Sequence, residues 1–172
     1  MTLDRSAIID GTGRMTAQLV GRPKDDVELK EVAIELSTPA GIVQAEGIVT
    51  GLGAAVRNLN REIEIRLFFQ ALTKHIKSSL AAFDQDVPID GVGTATGILI
   101  GTGDRYRIED LSLTASGPEL QLTATGQVQS LKEFPEFAIQ VEGHTTDLAM
   151  LTQAWKKEWS LPRGLDVTAV GW

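Results

Sequence analysis

His75 and His144 are the only side chains of the sequence whose ordinary pKa suits proton transfer or neutral metal ligation near pH 7. They stand 69 residues apart, and no Cys or second His lies near either one. Zinc-type sites gather three or four such ligands at short, characteristic spacings, so the pair makes a poor metal constellation. Either histidine could meet one of the 23 carboxylates, yet no nucleophile, base and oxyanion donor assemble around them in the sequence. His75 reads as a polar-face residue of a helix, and His144 as a loop residue. No Ser occupies a Gly-x-Ser-x-Gly elbow, which removes the hydrolase signature. The acidic pairs of "DDVE" (25–28) and "EDL" (109–111) fall where strands begin or bend, and read as solvated charge. The expectation is a non-enzymatic chain with no catalytic, cofactor-binding or metal residues.

Two glycine-rich stretches imitate phosphate sites. "GVGTATG" (91–97) would need a helix directly after it to aim backbone amides at an anion, and Thr-Gly-Ile-Leu-Ile reads as a strand instead. "GIVTGLGAAV" (47–56) has the preceding strand but no room for a helix before strand-like "REIEIRL" begins at Arg61. A loop between antiparallel strands is the expected reading there. Trp155 and Trp159 fit the apolar stripe of a helix packed on a sheet, the alternative being contact with a membrane or a partner.

The charge balance excludes another class. Lys and Arg number 16 against 23 Asp and Glu, and both halves of the chain are acidic. With no basic patch, no nucleic-acid partner is expected. The 42% hydrophobic content supports a core, but aromatics supply only 5%, so Val, Ile, Leu and Ala must fill it. Absence of Cys excludes disulfides and thiolate chemistry. The opening "MTLDRSAIID" contains no signal-like apolar run, and no window approaches 18 apolar residues.

What organises the sequence is an internal repeat. "IDGTGRMTAQLVG" (9–21) returns as "IDGVGTATGILIG" (89–101), and "VELKEVAIEL" (27–36) returns as "YRIEDLSLTA" (106–115). "VQAEGIVTGL" (43–52) lies on "LTATGQVQSL" (122–131) at an offset of 79, and "EIEIRLFFQAL" (62–72) lies on "AIQVEGHTTDL" (138–148) at an offset of 76. Four blocks in one order define two units, 9–87 and 88–160. "LPRGLDVTAVG" (161–171) resembles "VPIDGVGTATG" (87–97), so 161–172 reads as the start of a truncated third unit cut from a longer array.

Each unit reads as about four antiparallel strands plus one helix. Period-two alternation with one polar face marks the strands, as in Val43, Ala45, Gly47 and Val49 against Gln44, Glu46 and Thr50. The second strand of each unit breaks its alternation once. Val27 and Leu29 give way to Val32, Ile34 and Leu36, and Tyr106 and Ile108 give way to Leu111, Leu113 and Ala115. Such a slip turns the apolar set over unless one residue bulges out, which predicts β-bulges at Lys30–Glu31 and Glu109–Asp110. Phe69, Leu72, Ile76, Leu80 and Phe83 then fall on one helical stripe, predicting a helix over 69–83. Leu148, Leu151, Trp155 and Trp159 predict a second over 147–159, with Thr146 or Asp147 as N-cap and Pro88 and Pro162 as the stops. The expected fold is mainly β (a β-rich α+β chain): two tandem repeats forming a curved open sheet or groove.

The pattern is similar to the repeating unit of AsmA-like proteins, long bacterial envelope proteins related to TamB and YhdP. Residues 88–164 carry it best, through "PIDGVGTATGILIG", "YRIEDLSLTASG", "FAIQVEGHTTDLAMLTQAW" and "SLPRG". Residues 9–83 follow the same plan with "RLFFQALTKHI" at the helix start, where the acidic cap is missing. The resemblance implies a long β-rich groove with an apolar interior, periplasmic and anchored to the inner membrane in the full-length protein. It also implies a part in phospholipid transport or outer-membrane assembly.

The residues expected to line an apolar groove are Val43, Ala45, Val49, Ile63, Ile65, Leu122, Ala124, Val128, Ile139 and Val141. Their expected partners are phospholipid acyl chains, with neighbouring repeats and self-association through an unpaired edge strand besides, because an open apolar face marks a binding surface. The small residues Ala45, Gly47, Ala124 and Gly126 are expected to leave room beside an acyl chain. The alternative is a structural spacer or protein-interaction module in which the helices cap that face and no groove exists.

Overall fold

The computed structural model describes residues 11–21, 27–52, 62–81, 90–103, 105–118, 120–131, 137–145 and 165–169. These form one open sheet of nine strands whose spatial order is the order of the sequence. The strands are β1 (Thr12–Gly21), β2 (Val27–Thr38), β3 (Gly41–Thr50), β4 (Glu64–Thr73), β5 (Val92–Thr102), β6 (Arg105–Ser116), β7 (Leu120–Val128), β8 (Phe137–Thr145) and β9 (Leu165–Ala169). All pairings are antiparallel except that of β8 with β9, which run parallel over Ile139–Gly143. The mainly β, antiparallel, open architecture is therefore as the alternation predicts.

The bulges fall at the expected residues. Leu29 pairs with Val49 and Val32 with Gly47, so Lys30 and Glu31 face the single residue Ile48. On the other side Thr16 pairs with Ala33 and Gln18 with Lys30. Glu31 is thus the inserted residue, and its φ of 50° lies in the left-handed region. Asp110 repeats this 79 residues on, with a φ of 51° and the same interruptions against β5 and β7. The extra residue keeps Val32, Ile34 and Leu36 on the face that Val27 and Leu29 began. A β-branched side chain tolerates that left-handed conformation poorly, and Glu31→Val is expected to cost about 1–2 kcal/mol. Glu31→Gly should be close to neutral, and urea midpoints of the two variants measure the difference.

Gly47 and Gly126 lie beside these bulges, opposite Val32 and Leu111. A Cβ at Gly47 would collide with the Arg66 carbonyl oxygen, and one at Gly126 with that of Ala138. These glycines therefore admit a close-approaching neighbouring strand, a different role from the expected room for a ligand.

The helix expected over 69–83 begins later than the stripe suggests. Residues 69–73 continue β4, and α1 is described over Ile76–Ala81. Ile63 stands just ahead of β4, where its carbonyl accepts the Gly103 amide at 3.0 Å. The helix is fastened to the sheet by hydroxyls. Thr73 Oγ1 donates to the Ala40 carbonyl at 2.6 Å, and Ser79 Oγ lies 2.6 Å from Thr73 Oγ1 and 3.2 Å from the same carbonyl. Ile76 is buried against Gly93 at the start of β5, where an added Cβ would meet its side chain at 3.0 Å.

The register also corrects the alignment of the fourth strands. Leu67 lies opposite Gly47, and Ile139 opposite Gly126, so β4 and β8 correspond at an offset of 72 rather than 76. A difference of four residues is even, so every side chain keeps its face. Carried onward, the same offset sets His75–Ile76 against Asp147–Leu148 in the sequence. The second expected helix, 147–159, with its N-cap and tryptophans, lies outside the described residues.

Candidate functional site: an apolar sheet face

Paired residues of neighbouring strands share a face, so the registers trace one surface across the sheet. On one side β2 places Leu29, Val32, Ile34 and Leu36 against Val49, Gly47, Ala45 and Val43 of β3. These meet Ile65, Leu67, Phe69 and Ala71 of β4, which meet Gly101, Leu99, Gly97 and Ala95 of β5. Leu99 and Ala95 meet Ile108 and Leu113 of β6, and these meet Val128 and Ala124 of β7. Val128, Gly126, Ala124 and Leu122 then face Phe137, Ile139, Val141 and Gly143 of β8. No charged residue interrupts this surface from β2 to β8.

The opposite face carries the charge. Gln44 Nε2 donates to Glu35 at 3.3 Å, Lys30 pairs with Glu28 at 3.5 Å, and Arg107 Nε pairs with Glu109 at 2.8 Å. Thr94 and Thr114 link β5 to β6 through their hydroxyls at 2.6 Å. Exposure follows the same division. Along β4 and β8 the apolar-face residues are half-buried and their polar-face neighbours exposed.

Half-buried is the important word. Among the described residues only Val32, Ile76, Leu111, Leu120 and Val128 are buried apolar side chains. The rest of the apolar face is shielded by its lateral neighbours and by no second layer among the described residues, apart from Ile76 of α1 at one end. Two aromatic rings lie beside glycines of β5 within that face. A Cβ at Gly97 would meet the Phe69 ring at 2.9 Å, and one at Gly101 the Tyr106 ring at 2.7 Å. These rings smooth the surface where β5 has no side chains of its own.

All the expected lining residues fall on this one face, in two groups. Val43, Ala45, Val49 and Ile65 lie on β3 and β4, with Ile63 continuing the alternation just before β4. Leu122, Ala124, Val128, Ile139 and Val141 lie on β7 and β8. β5 and β6 separate the groups, and Leu99, Ile108, Leu111 and Leu113 bridge them. Of the lining set Val128 is buried, and Val43 is exposed at 39%. The bridging residues were legible as alternating positions, but glycines 93, 97 and 101 dilute the apolar signal of β5.

The residues with chemical potential are not brought together. His75 is an exposed residue immediately before α1 and accepts, through its carbonyl, the Ser79 amide at 3.0 Å. His144 is on β8 rather than in a loop, on the polar face, with Nε2 3.5 Å from Glu142. A small polar depression beside the β5–β6 turn is edged by Arg105, Tyr106, Arg107 and Gln129. Its guanidinium groups are engaged, Arg105 with Glu62 at 3.3 Å and Arg107 with Glu109. β3 and β4, which flank Gly51, run antiparallel, so the strand arrangement of a dinucleotide fold is not formed there. β5 starts at Val92, inside "GVGTATG", with no helix following it.

Among the described residues no helix is long and apolar enough to cross a membrane. Comparison of the chain with protein-family models, curated proteins and solved structures gives no match.

Proposed function

We propose that the chain is a non-enzymatic repeat segment of an AsmA-like envelope protein, periplasmic in its full-length setting, whose apolar sheet face receives phospholipid acyl chains. One observation carries this reading: a charge-free face runs from β2 to β8 with most of its side chains only half-buried. A continuous, incompletely buried apolar surface of this kind is uncommon on a soluble protein and ordinarily has an occupant. An acyl chain suits it because the surface offers area and no fixed polar partners.

The magnitude is adequate. Each methylene removed from water is worth about 0.8 kcal/mol, and an open face covers only one side of a chain. For a chain of about fourteen methylenes, half coverage gives about 6 kcal/mol, a Kd of tens of micromolar before the ordering cost is subtracted. Selectivity then rests on the tail, and headgroup variation should shift binding by less than about threefold on this uncharged face.

Incubating the purified, delipidated chain with mixed phospholipid vesicles, re-isolating it and analysing the bound lipid tests the reading. The expected result is stoichiometric uptake that follows tail length across headgroups. No uptake, together with a face that cannot be substituted without unfolding, would establish the spacer instead.

A further inference from the structure

We infer that the outer edge of β1 accepts β8 of a second copy of this chain, antiparallel and in the register that β4 holds on β5. The sheet itself contains the template. β1 is the counterpart of β5 at an offset of 80, as their matching interruptions at Thr16/Gln18 and Thr96/Ile98 show. β8 is the counterpart of β4 at 72. The β4–β5 ladder pairs Ile65 with Gly101, Leu67 with Leu99, Phe69 with Gly97 and Ala71 with Ala95.

Transferred to β8 and β1, that ladder sets Phe137 on Gly21, Ile139 on Leu19, Val141 on Ala17 and Gly143 on Met15. Large side chains meet small ones at three of the four positions, against two in the template, and all eight residues extend the apolar face. On the polar side Gln140 meets Gln18 and Glu142 meets Thr16. Glu142 then lies diagonally across from Arg14, which is the only charge on β1. His144 faces Arg14 directly and is already engaged with Glu142 at 3.5 Å.

Both edges suit the exchange. No described residue pairs with the outer side of β1, and all ten of its residues are exposed, Leu19 at 69% and Met15 at 58%. The strand has no proline, no inward charge and a single cation, so it lacks the usual protections of a free edge. Among the described residues β8 is held on its outer side only by β9, through the one parallel ladder of the sheet, five residues long. The antiparallel alternative, up to the nine residues of β8, replaces a short parallel ladder by a longer and intrinsically more stable one. Because different edges meet, the association is head-to-tail and open-ended.

The full chain contains no cysteine, which permits a clean test. Gln18→Cys and Gln140→Cys are made as separate variants, both at exposed polar-face positions. Directly opposed residues of antiparallel strands lie within disulfide reach. Mixed and oxidised, the two variants should give a mixed dimer at least tenfold in excess of either self-linked dimer. Mixing Gln18→Cys with Glu142→Cys, two residues out of register, should link at least tenfold less. Wild type should gain mass with concentration in sedimentation equilibrium. A wild-type chain that stays monomeric at high micromolar concentration overturns the inference. So does Gln18→Cys linking chiefly to itself, which would mean β1 pairs with β1. Preferential linkage of Gln18→Cys to Asp166→Cys also overturns it, because β9 rather than β8 would then be the partner. None of these readouts involves lipid, so their outcome is separate from that of acyl-chain binding.

Discussion

Aspartate in place of Val141 is expected to leave the sheet folded and to weaken acyl-chain binding roughly thirty- to hundred-fold, about 2–3 kcal/mol. Val141 is half-buried in β8 opposite Ala124, on the apolar face proposed to receive acyl chains. A carboxylate there keeps access to water in the free protein, so folding loses little. When an acyl chain covers it, the charge must shed water or hold about three methylenes away from the surface, each worth about 0.8 kcal/mol. Ile65→Asp, opposite Val49 and Gly101, should behave alike from the other lining group. Titration with a fluorescent acyl probe gives the loss, and circular dichroism of the same samples reports the fold. If both variants unfold while wild type takes up no lipid, the face is a core and the spacer reading replaces the groove.

Val32→Asp should have the opposite signature. Val32 lies on the same face but is 1% exposed, the most completely buried side chain of the described sheet. It follows the Glu31 bulge directly and lies opposite Gly47, which lacks a side chain and packs close against β4. An unpaired carboxylate there costs about 4 kcal/mol or more, a large part of the 5–15 kcal/mol that holds an ordinary domain together. The expected outcome is a chain without a cooperative transition at 25 °C, or with its urea midpoint lowered by more than half. Wild-type-like stability would mean that Val32 is not held as the registers indicate. Together the two substitutions separate surface from core on a single apolar face.

The bulges were legible because a broken period leaves its mark in residue type: Leu29 to Val32 and Ile108 to Leu111 are steps of three inside runs of two. The apolar face was legible for the same reason wherever one side of a strand is polar. β4 defeated that logic. Phe68 and Leu72 lie on its outer face, 46% and 40% exposed, so "RLFFQAL" shows apolar residues on both sides and loses its alternation. Phe69, Leu72 and Ile76 then match a helical spacing by coincidence, and the helix was placed seven residues early. The same stretch concealed the true correspondence of β4 with β8, because "QVEGH" (140–144) shares no side chains with "FFQAL" (68–72), on which the offset of 72 sets it. Only backbone pairing to Gly47 and Gly126 reveals it. The acyl-chain expectation rests on the apolar alternation and the family resemblance together.

The order of strands in the sheet is also their order along the chain, and this bears on how the molecule is made. Half of the eight ladders close over five residues or fewer, such as the two between β2 and β3, and the longest connection is 19 residues, so loop-closure costs stay modest. A chain delivered amino terminus first can add strands one at a time, each finding its template in the strand before it. No ladder has to wait for a distant segment. For a single sheet with few buried side chains among its described residues, such stepwise growth limits how long apolar backbone edges stay open, and it makes synthesis order part of the folding mechanism.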